Sequence, residues 1–453
     1  MAPARPLLAV RADGGPGIGV GHLVRSLALV QAWIRARGDA VLVSHEPPAH
    51  WAERYQVAGC PIVSPSDRPR CDWWAVDGYH LSAADRAGRG ARVLVIDDAD
   101  TAGTGGAGAD LLLDQNLAAP TYPHATEVRR GPRYALLREE VTAAAAGPRT
   151  VDDARLLVAV GGAPAPEVRR FAMQVGAGAT EEGWEVSTLG GTDDAPASMA
   201  RAGLAVAAAG STSWELCCFG VPSVLVAVAP NQEAVADNLA AAGAAIRAPL
   251  DAGAVLTIVR QLAADRPRRA AMSKAGASLV DGRGAARITT RLRSALLSLR
   301  PATDDDIELI HGWNDDERTR AASFATGSIS WDDHVRWFAA QQADPGAWLL
   351  IGSDALGAVG LVRFRVLDGT AEIGLTVAPE RRGEGHAAAL IDAGCSQIAD
   401  EAGVTSVLAR VKPTNAASIR AFLAADFDEW PDQPDATGAR RYVRVVSTGD
   451  DHG

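Results

Sequence analysis

At 453 residues the chain is too long for one hydrophobic core, and length alone suggests about three units of ~150 residues. Apolar residues make up 47% and charged residues 22%, so each unit can bury a core, while a formal net charge of -11 argues against nonspecific nucleic-acid binding. No apolar run approaches the ~18 residues of a membrane span, Pro6-Leu-Leu-Ala-Val10 is too short for a secretion signal, and the five cysteines form no Cys-x-x-Cys; the expectation is a cytoplasmic protein with no disulfide framework and no metal site.

The chain opens on the short strand Leu7 to Ala12, the turn Asp13-Gly14-Gly15-Pro16-Gly17-Ile18-Gly19-Val20-Gly21-His22, the apolar helix Leu23 to Ile34 and the strand Ala40 to Ser44. That succession is a doubly wound α/β unit. Further strands are expected at Trp73 to Val76, Val93 to Ile96 and Leu111 to Leu113, closing on the acids Asp77, Asp97, Asp98 and Asp114. Ligands of open parallel sheets sit at the carboxyl ends of strands, so these acids and the glycine-rich turn should face one cleft. The turn misses the G-x-G-x-x-G spacing, and Ser44-His45 rather than an acid end the second strand, which sets a dinucleotide site aside. His22 falls where turn becomes helix; its imidazole can project into the cleft, and the helix amino end favours the neutral ring, a usable base. A capping or packed histidine is the plainer alternative.

Leu156 to Val160 reads as a buried strand ending in the tight turn Gly161-Gly162, followed by a helix from Pro164 and a strand near Trp184 to Thr188. The run Leu204 to Ala208 then meets Gly210-Ser211-Thr212-Ser213, where hydroxyls and bare amides open a helix ending near Gly220. Pro222 restarts the chain as the strand Ser223 to Val228. The first amides of such a helix lack internal partners and its dipole attracts anions, so phosphate is the economical occupant. Glu215 could accept hydrogen bonds from a ribose diol, and Asn231-Gln232 open the next helix on the same rim; alternatively Ser211 or Ser213 only caps the helix and Glu215 is a solvated acid. Helices near Val235 to Ala242, Ala252 to Ala263, Arg268 to Leu279 and Ala285 to Leu297 follow.

At Leu299-Arg-Pro-Ala-Thr-Asp-Asp-Asp the pattern restarts, with a helix over Asp304 to Trp313 and no Pro/Ser-rich spacer. Trp348 to Ile351, Val359 to Arg365 and Glu372 to Val377 read as antiparallel strands. Arg382-Gly383-Glu384-Gly385-His386-Ala387 opens the helix Ala388 to Ala399; its glycines let the backbone approach a pyrophosphate, and the helix-start amides point at it.

Two resemblances follow from these motifs. Arg11-Ala-Asp13-Gly, Gly19-Val-Gly21-His22-Leu-Val-Arg25, Asp77-Gly-Tyr79-His80, Val95-Ile-Asp97-Asp98, Asp114-Gln-Asn-Leu and Gly210-Ser-Thr-Ser-Trp-Glu215-Leu resemble, in order, the UDP-sugar hydrolases of pseudaminic acid biosynthesis. More distantly they resemble glycosyltransferase-B enzymes. The resemblance implies two Rossmann-like halves in a glycosyltransferase-B-like arrangement and inverting hydrolysis of a UDP-sugar. It assigns the catalytic role to His22, with Asp13 orienting water, sugar or His22, and substrate contacts to Gly21, Arg25, Tyr79, Gly161, Gly162, Ser211, Thr212, Ser213, Glu215, Asn231 and Gln232. Between Thr188 and Leu204 the chain is shorter than that family by about one strand-helix unit.

The second resemblance, carried by Arg382-Gly-Glu-Gly385-His-Ala387, Asn415-Ala-Ala-Ser418 and Ile329-Ser-Trp-Asp-Asp-His334, is to GNAT-superfamily amino-sugar N-acetyltransferases with an α+β fold. It implies acetyl-CoA as co-substrate, held by Leu375, Val377, Arg382, Gly383, Gly385, His386, Ala387, Asn415 and Ser418. Glu372 would be the base and His334 would shape the sugar pocket, against the alternatives of a strand-end surface acid and a packed histidine. Phe422 stands where many such enzymes carry a proton-donating Tyr, and a ring without hydroxyl donates nothing.

The expected division is 1–148, an N-terminal Rossmann-like half with the catalytic His; 149–296, a UDP-binding half; 297–447, an acetyltransferase domain; and a tail at 448–453. The expected partners are a small UDP-amino sugar and acetyl-CoA, with no nucleic acid and no membrane. Alternatives are a hydrolase/acyltransferase fusion for another nucleotide-linked substrate, or a glycosyltransferase-like or nucleotide-sugar-binding protein with a degenerate acetyltransferase module.

Overall fold

Leu7–Ala12 (β1) is buried almost throughout in the computed structural model, as a parallel strand covered on both faces must be. The structure describes residues 5–446 apart from 16–17, 82–84, 86–89, 99–102, 119, 150, 162–163, 190–193 and 432–436. Gly162 and the tail at 448–453 lie outside the described residues. The chain divides into two compact units, Arg5–Ala285 and a second from Ala286 onward.

Among the described residues of the first unit, β1 belongs to a seven-stranded parallel sheet. The other strands are Asp39–Val43 (β2), Ile62–Val63 (β3), Trp73–Asp77 (β4), Arg92–Ile96 (β5), Leu111–Asp114 (β6) and Val128–Arg130 (β7), in the order β3-β2-β1-β4-β5-β6-β7. The order reverses between β1 and β4, whose carboxyl ends, Ala12 beside Asp77, border the crevice where doubly wound sheets take ligands. Helix α1 (Gly21–Arg35) buries Leu23, Leu27, Val30 and Trp33. The Trp33 indole fills the turn into β2, where a Cβ on Gly38 would lie 2.1 Å from Nε1, so only glycine closes it.

A second parallel sheet holds Asp152–Ala159 (β8), Glu185–Thr188 (β9), Ala202–Ala208 (β10), Ser223–Val226 (β11) and Ala245–Ala248 (β12), ordered β12-β11-β10-β8-β9. Its order reverses between β8 and β10. Helix Ala49–Val57 (α2) accompanies the first sheet; Glu139–Ala145 (α3), Pro166–Glu181 (α4), Ala195–Arg201 (α5), Ser211–Phe219 (α6), Glu233–Ala241 (α7), Ala252–Ala264 (α8) and Arg266–Leu279 (α9) accompany the second, with Val141 of α3 in one core with Leu157, Met199 and Ala202. Asp194, Asp251 and Asp265 cap α5, α8 and α9 with side-chain oxygens, and α6 stops at Gly220 in the left-handed region. Small residues Ala205, Ala207 and Ala209 pack in one core with Trp214 and Leu216 of α6. Helix α5 occupies part of the stretch between Thr188 and Leu204 for which no element was expected.

The second unit continues from Gly284–Ser294 (α10) into a mixed sheet of Ser298–Pro301 (β13), Ala347–Asp354 (β14), Gly357–Leu367 (β15), Thr370–Val377 (β16), Ser406–Val411 (β17), Asp428–Glu429 (β18) and Arg440–Val445 (β19). The order among the described residues is β13-β14-β15-β16-β17-β19-β18. Its helices are Ile307–Asp315 (α11), Glu317–Ala322 (α12), Trp331–Ala343 (α13), His386–Ala402 (α14) and Ala416–Ala424 (α15). The helix expected over Asp304 to Trp313 begins later: Thr303 and Asp306 form a capping box, Arg300 grips Asp306 through two 2.7 Å bonds, and this first turn is a 3-10 helix before α11. Strand residues alternate between two cores. Leu350, Val362, Phe364 and Ile373 pack with Ile391, Cys395 and Ile398 of α14 and Phe422 of α15. Leu349, Ile351 and Leu361 pack with Ile310 and Trp313 of α11 and Phe338 of α13. β16 and β17 run parallel and pair only from Thr370–Ser406 to Ile373–Ala409; their register ends there.

Candidate functional sites

The crevice between β1 and β4 is built around Asp77, a fully buried carboxylate on the last residue of β4. His22 Nδ1 lies 2.6 Å from its Oδ1; Arg25 donates to both oxygens at 2.7 and 2.8 Å, and Ser26 Oγ donates at 3.1 Å. His22, Arg25 and Ser26 reach one carboxylate because they share the first turns of α1. Burial alone would raise the Asp77 carboxyl, but Arg25 and His22 outweigh it and hold the group at about 2. An ionised carboxylate only accepts, so His22 Nδ1 carries the proton and a neutral ring leaves Nε2 as its basic nitrogen. Arg25 Nη2 also comes within 3.4 Å of Nδ1, but a guanidinium cannot accept, and the shorter carboxylate bond decides the tautomer.

Arg25 extends to Asp98 Oδ2 at 2.6 Å, and the same oxygen accepts from the Tyr79 hydroxyl. The Tyr79 ring meets the His22 ring edge-on at 4.6 Å, and its oxygen accepts from Asn231 Nδ2 at 3.3 Å. Asn231 belongs to the rim of the second sheet, so a side chain of that rim enters the His22 cluster. A Cβ on Gly21 would lie 4.0 Å from Ser211 Oγ, which brings the amino ends of α1 and α6 together. Their dipoles add at this point. Gln232 Oε1 accepts from the Val228 amide at 3.0 Å, and its Nε2 would be 3.6 Å from a Cβ on Gly210. No side-chain hydrogen bond caps α6.

Other expected contact residues are occupied. Ser213 is buried and its hydroxyl donates to the Ala208 carbonyl at 3.4 Å, so only its backbone stays with the helix start. Glu215 is not a solvated acid: it is buried and Oε1 receives Arg138 Nη2 at 2.9 Å. Thr212 is half-buried, and Gly161 is exposed with a φ of 99°. Asp13 stands apart from His22 in its bonding: Arg11 at 2.6 Å, His80 at 2.9 Å, Ser44 at 3.1 Å and the His45 amide at 2.9 Å. Burial would raise its carboxyl, and these donors take it far below the usual range. It lines a cleft of about 480 Å³ with Arg11, His45, Glu46, His80 and Asp85. Asp77 and Asp98 were expected to face the cleft but were given no role in it, and Arg138 was given none. Asp77 and Asp98 carried one signal, an acid at or just beyond a strand end.

In the second unit, Gly383 and Gly385 have φ of 80° and 82°, and a Cβ on Gly383 would meet only open space. Gly385 is the N-cap of the 17-residue α14, with no side chain capping it. Bare amides and open space fit a pyrophosphate. The side chains of this loop turn elsewhere. Arg382 binds Asp316 at 2.5 Å and Thr319 at 2.7 Å; His386 is buried with Nε2 3.1 Å from Glu384, and burial lowers its imidazole from the ordinary value. Asn415 Oδ1 caps α15 by accepting from the Ser418 amide at 3.1 Å. Leu375 and Val377 lie half-buried on β16 beyond the last pair with β17, as does Gly374, and Ala387 follows His386 in α14. Glu372 is 57% exposed, with Arg410 Nη1 at 3.9 Å. His334 is buried, its Nε2 donating to the Ile307 carbonyl at 2.9 Å among Trp331, Trp337 and Phe338, and burial lowers its imidazole. Phe422 is buried edge-on against Phe427, with ring centres 5.0 Å apart.

Residues 297–428 match the family model of the acetyltransferase (GNAT) domain, so the chain carries a domain of that class in its C-terminal third. Among solved structures, spermidine N-acetyltransferase from Vibrio cholerae, in complex with CoA and spermine, is 19% identical; the match covers 33% of this chain and 96% of that one, with a TM-score of 0.32. Aminoglycoside acetyltransferase AAC(6')-Ib, in complex with coenzyme A, is 18% identical over 33% of this chain and 94% of that one, with a TM-score of 0.30. No curated protein matches the chain. Among the described residues no helix is long and apolar enough to cross a membrane, and no group of three or more His, Cys, Asp or Glu could hold a metal ion.

Proposed function

We propose that the chain is a bifunctional nucleotide-sugar enzyme: an acetyl-CoA-dependent N-acetyltransferase for a UDP-linked 4-amino-deoxysugar, fused to an inverting hydrolase that releases UDP from it. The observation that carries the hydrolase reading is the His22–Asp77–Arg25 cluster beside the convergent amino ends of α1 and α6. In this reading Asp77 and Arg25 orient His22, whose Nε2 accepts a proton from water as the water oxygen bonds to the anomeric carbon. The bond from that carbon to the diphosphate oxygen breaks, and the helix-start amides near Ser211 and Thr212 take up the charge that develops on the leaving group. A positioned base contributes roughly 10²- to 10⁴-fold. The second unit holds acetyl-CoA at the Gly383–Ala387 turn; Glu372 takes the proton from the amine as its nitrogen bonds to the acetyl carbonyl carbon, the carbon–sulfur bond breaks, and CoA leaves as a thiolate that takes a proton from water, since the Phe422 ring has none to give.

Mass spectrometry of products in H₂¹⁸O, with acetyl-CoA and a panel of UDP-amino-deoxysugars, tests both halves. The expected result is an acetylated free sugar carrying ¹⁸O and unlabelled UDP, with sugar release abolished in His22→Ala while UDP still binds. Release only with an added acceptor alcohol would refute hydrolysis in favour of glycosyl transfer.

A further inference from the structure

Helix α10 lies ahead of residue 297, where the match to the acetyltransferase family model begins, yet from Ala286 onward it belongs to the second unit. Ile288 and Leu292 are buried, Ser294 Oγ donates to Asp392 Oδ2 of α14 at 2.5 Å, and Arg287 pairs with Asp426 just beyond α15. So fastened, the helix brings Arg293 to the Gly383–Ala387 turn: its side chain is buried, and Nη2 donates to the Glu384 carbonyl at 2.9 Å. The carboxylate of Glu384 is held separately. Its Oε2 accepts from Arg381 Nε at 2.8 Å and lies 3.1 Å from His386 Nε2, and Arg381 is itself gripped by Asp354 at 2.6 and 3.2 Å.

A peptide unit is planar and trans, so its C=O and N–H point in opposite directions. With the Glu384 oxygen turned inward to Arg293, the N–H of Gly385 points outward. Gly385 is exposed, and among the described residues its amide has no acceptor. Left unheld, this peptide could turn over: a flip rotates ψ of Glu384 and φ of Gly385 together, and glycine accepts either sign of φ at little cost. The flipped form would aim a carbonyl dipole at an arriving phosphate instead of a donor. The bonds of the Glu384 carboxylate do not resist that flip, because they hold the side chain and leave the peptide free. We propose that Arg293 is a positioning residue that locks the Glu384–Gly385 peptide with its amide toward the pyrophosphate of acetyl-CoA. The anion site at the start of α14 is then completed by a helix outside the matched domain. This role rests on the acetyl-CoA reading of the turn and adds to it the residue that keeps the turn in its binding form.

The test uses the full chain and CoA as the probe. Dissociation constants from titration calorimetry are compared for the wild type, Arg293→Met, which keeps apolar bulk and loses the donor, and Arg293→Lys, which keeps the charge and a donor. Arg291→Met is the control, on the same helix but bonded to Ser294 Oγ at 2.8 Å. Arg293→Met is expected to weaken CoA about tenfold, as loss of a hydrogen bond to a charged group does, Arg293→Lys by less than about threefold and Arg291→Met by less than about twofold. Arg293→Met binding within about twofold of wild type, Arg291→Met binding as weakly as Arg293→Met, or no recovery with lysine would overturn the role. Hydrogen exchange resolved to single amides reads the peptide in the wild type, with no substitution to unfold it. CoA should slow exchange at Gly385 about tenfold or more, and an unchanged rate there would also overturn the role. A wild type that binds no CoA would sink the reading of the turn and the role with it; one that binds CoA but fails these comparisons sinks the role alone.

Discussion

Replacing Asp77 by Asn keeps the shape of the side chain and removes its charge, which isolates what the carboxylate does for α1. In the wild type it receives His22, two donors of Arg25 and Ser26 while fully buried, and Arg25 has Asp98 as its other acceptor. Removing one partner of a buried ion pair costs roughly 3–5 kcal/mol, and the remaining Asp98 contact places the expected loss near the lower end, about 3 kcal/mol. The sign of the pH dependence follows from the depressed carboxyl. Its stabilisation is fully present above the unfolded value of 3.8 and is lost as pH falls toward about 2 in the folded chain. That interval corresponds to about 2 kcal/mol. Urea unfolding read by hydrogen-exchange mass spectrometry, which separates peptides of Arg5–Ala285 from the rest, should show the gap between wild type and Asp77→Asn narrowing from pH 5 to pH 2.5. A gap that stays constant across that range would show that the carboxylate charge is not what secures His22 and Arg25. UDP-sugar hydrolysis should fall by roughly 10²-fold or more in the same variant, because an amide no longer fixes the His22 tautomer.

Two further outcomes are expected. Arg138→Ala and Glu215→Ala should each destabilise Arg5–Ala285 by about 3 kcal/mol and the double variant by clearly less than their sum; additive losses in a double-mutant cycle would refute a coupled buried pair. Phe422→Tyr should leave acetyl-transfer kcat unchanged and cost about 1–3 kcal/mol, since its hydroxyl would enter the Phe427 core without a partner; a raised kcat would place that ring at the reacting thioester instead.

The long apolar strands were readable because glycine and proline bracket them, and β14 to β16 because their residues alternate between two cores. The short edge strands β3 and β7 and helix α2 escaped for the opposite reason: Ile62–Val63 is two residues, Val128-Arg-Arg130 has no alternation, and α2 buries only Tyr55. At the site, His22 stood out through its place at a turn-helix junction. Its clamp did not, because Asp77 is 55 residues away and reaches it only through the adjacency of β1 and β4. Glu215 shows the same limit, since nothing local announces that Arg138, 77 residues earlier, will claim it.

The alanines beneath α6 carry a consequence for how such a cradle can change. Because Ala205, Ala207 and Ala209 share a core with Trp214 and Leu216, the girth of the floor sets how deep the helix sinks and therefore where Ser211 stands. A valine at one of these places would jack the helix outward and shift the helix start at which the diphosphate is proposed to sit. The place of the α6 start can thus drift from below, through methyl groups hidden in the sheet.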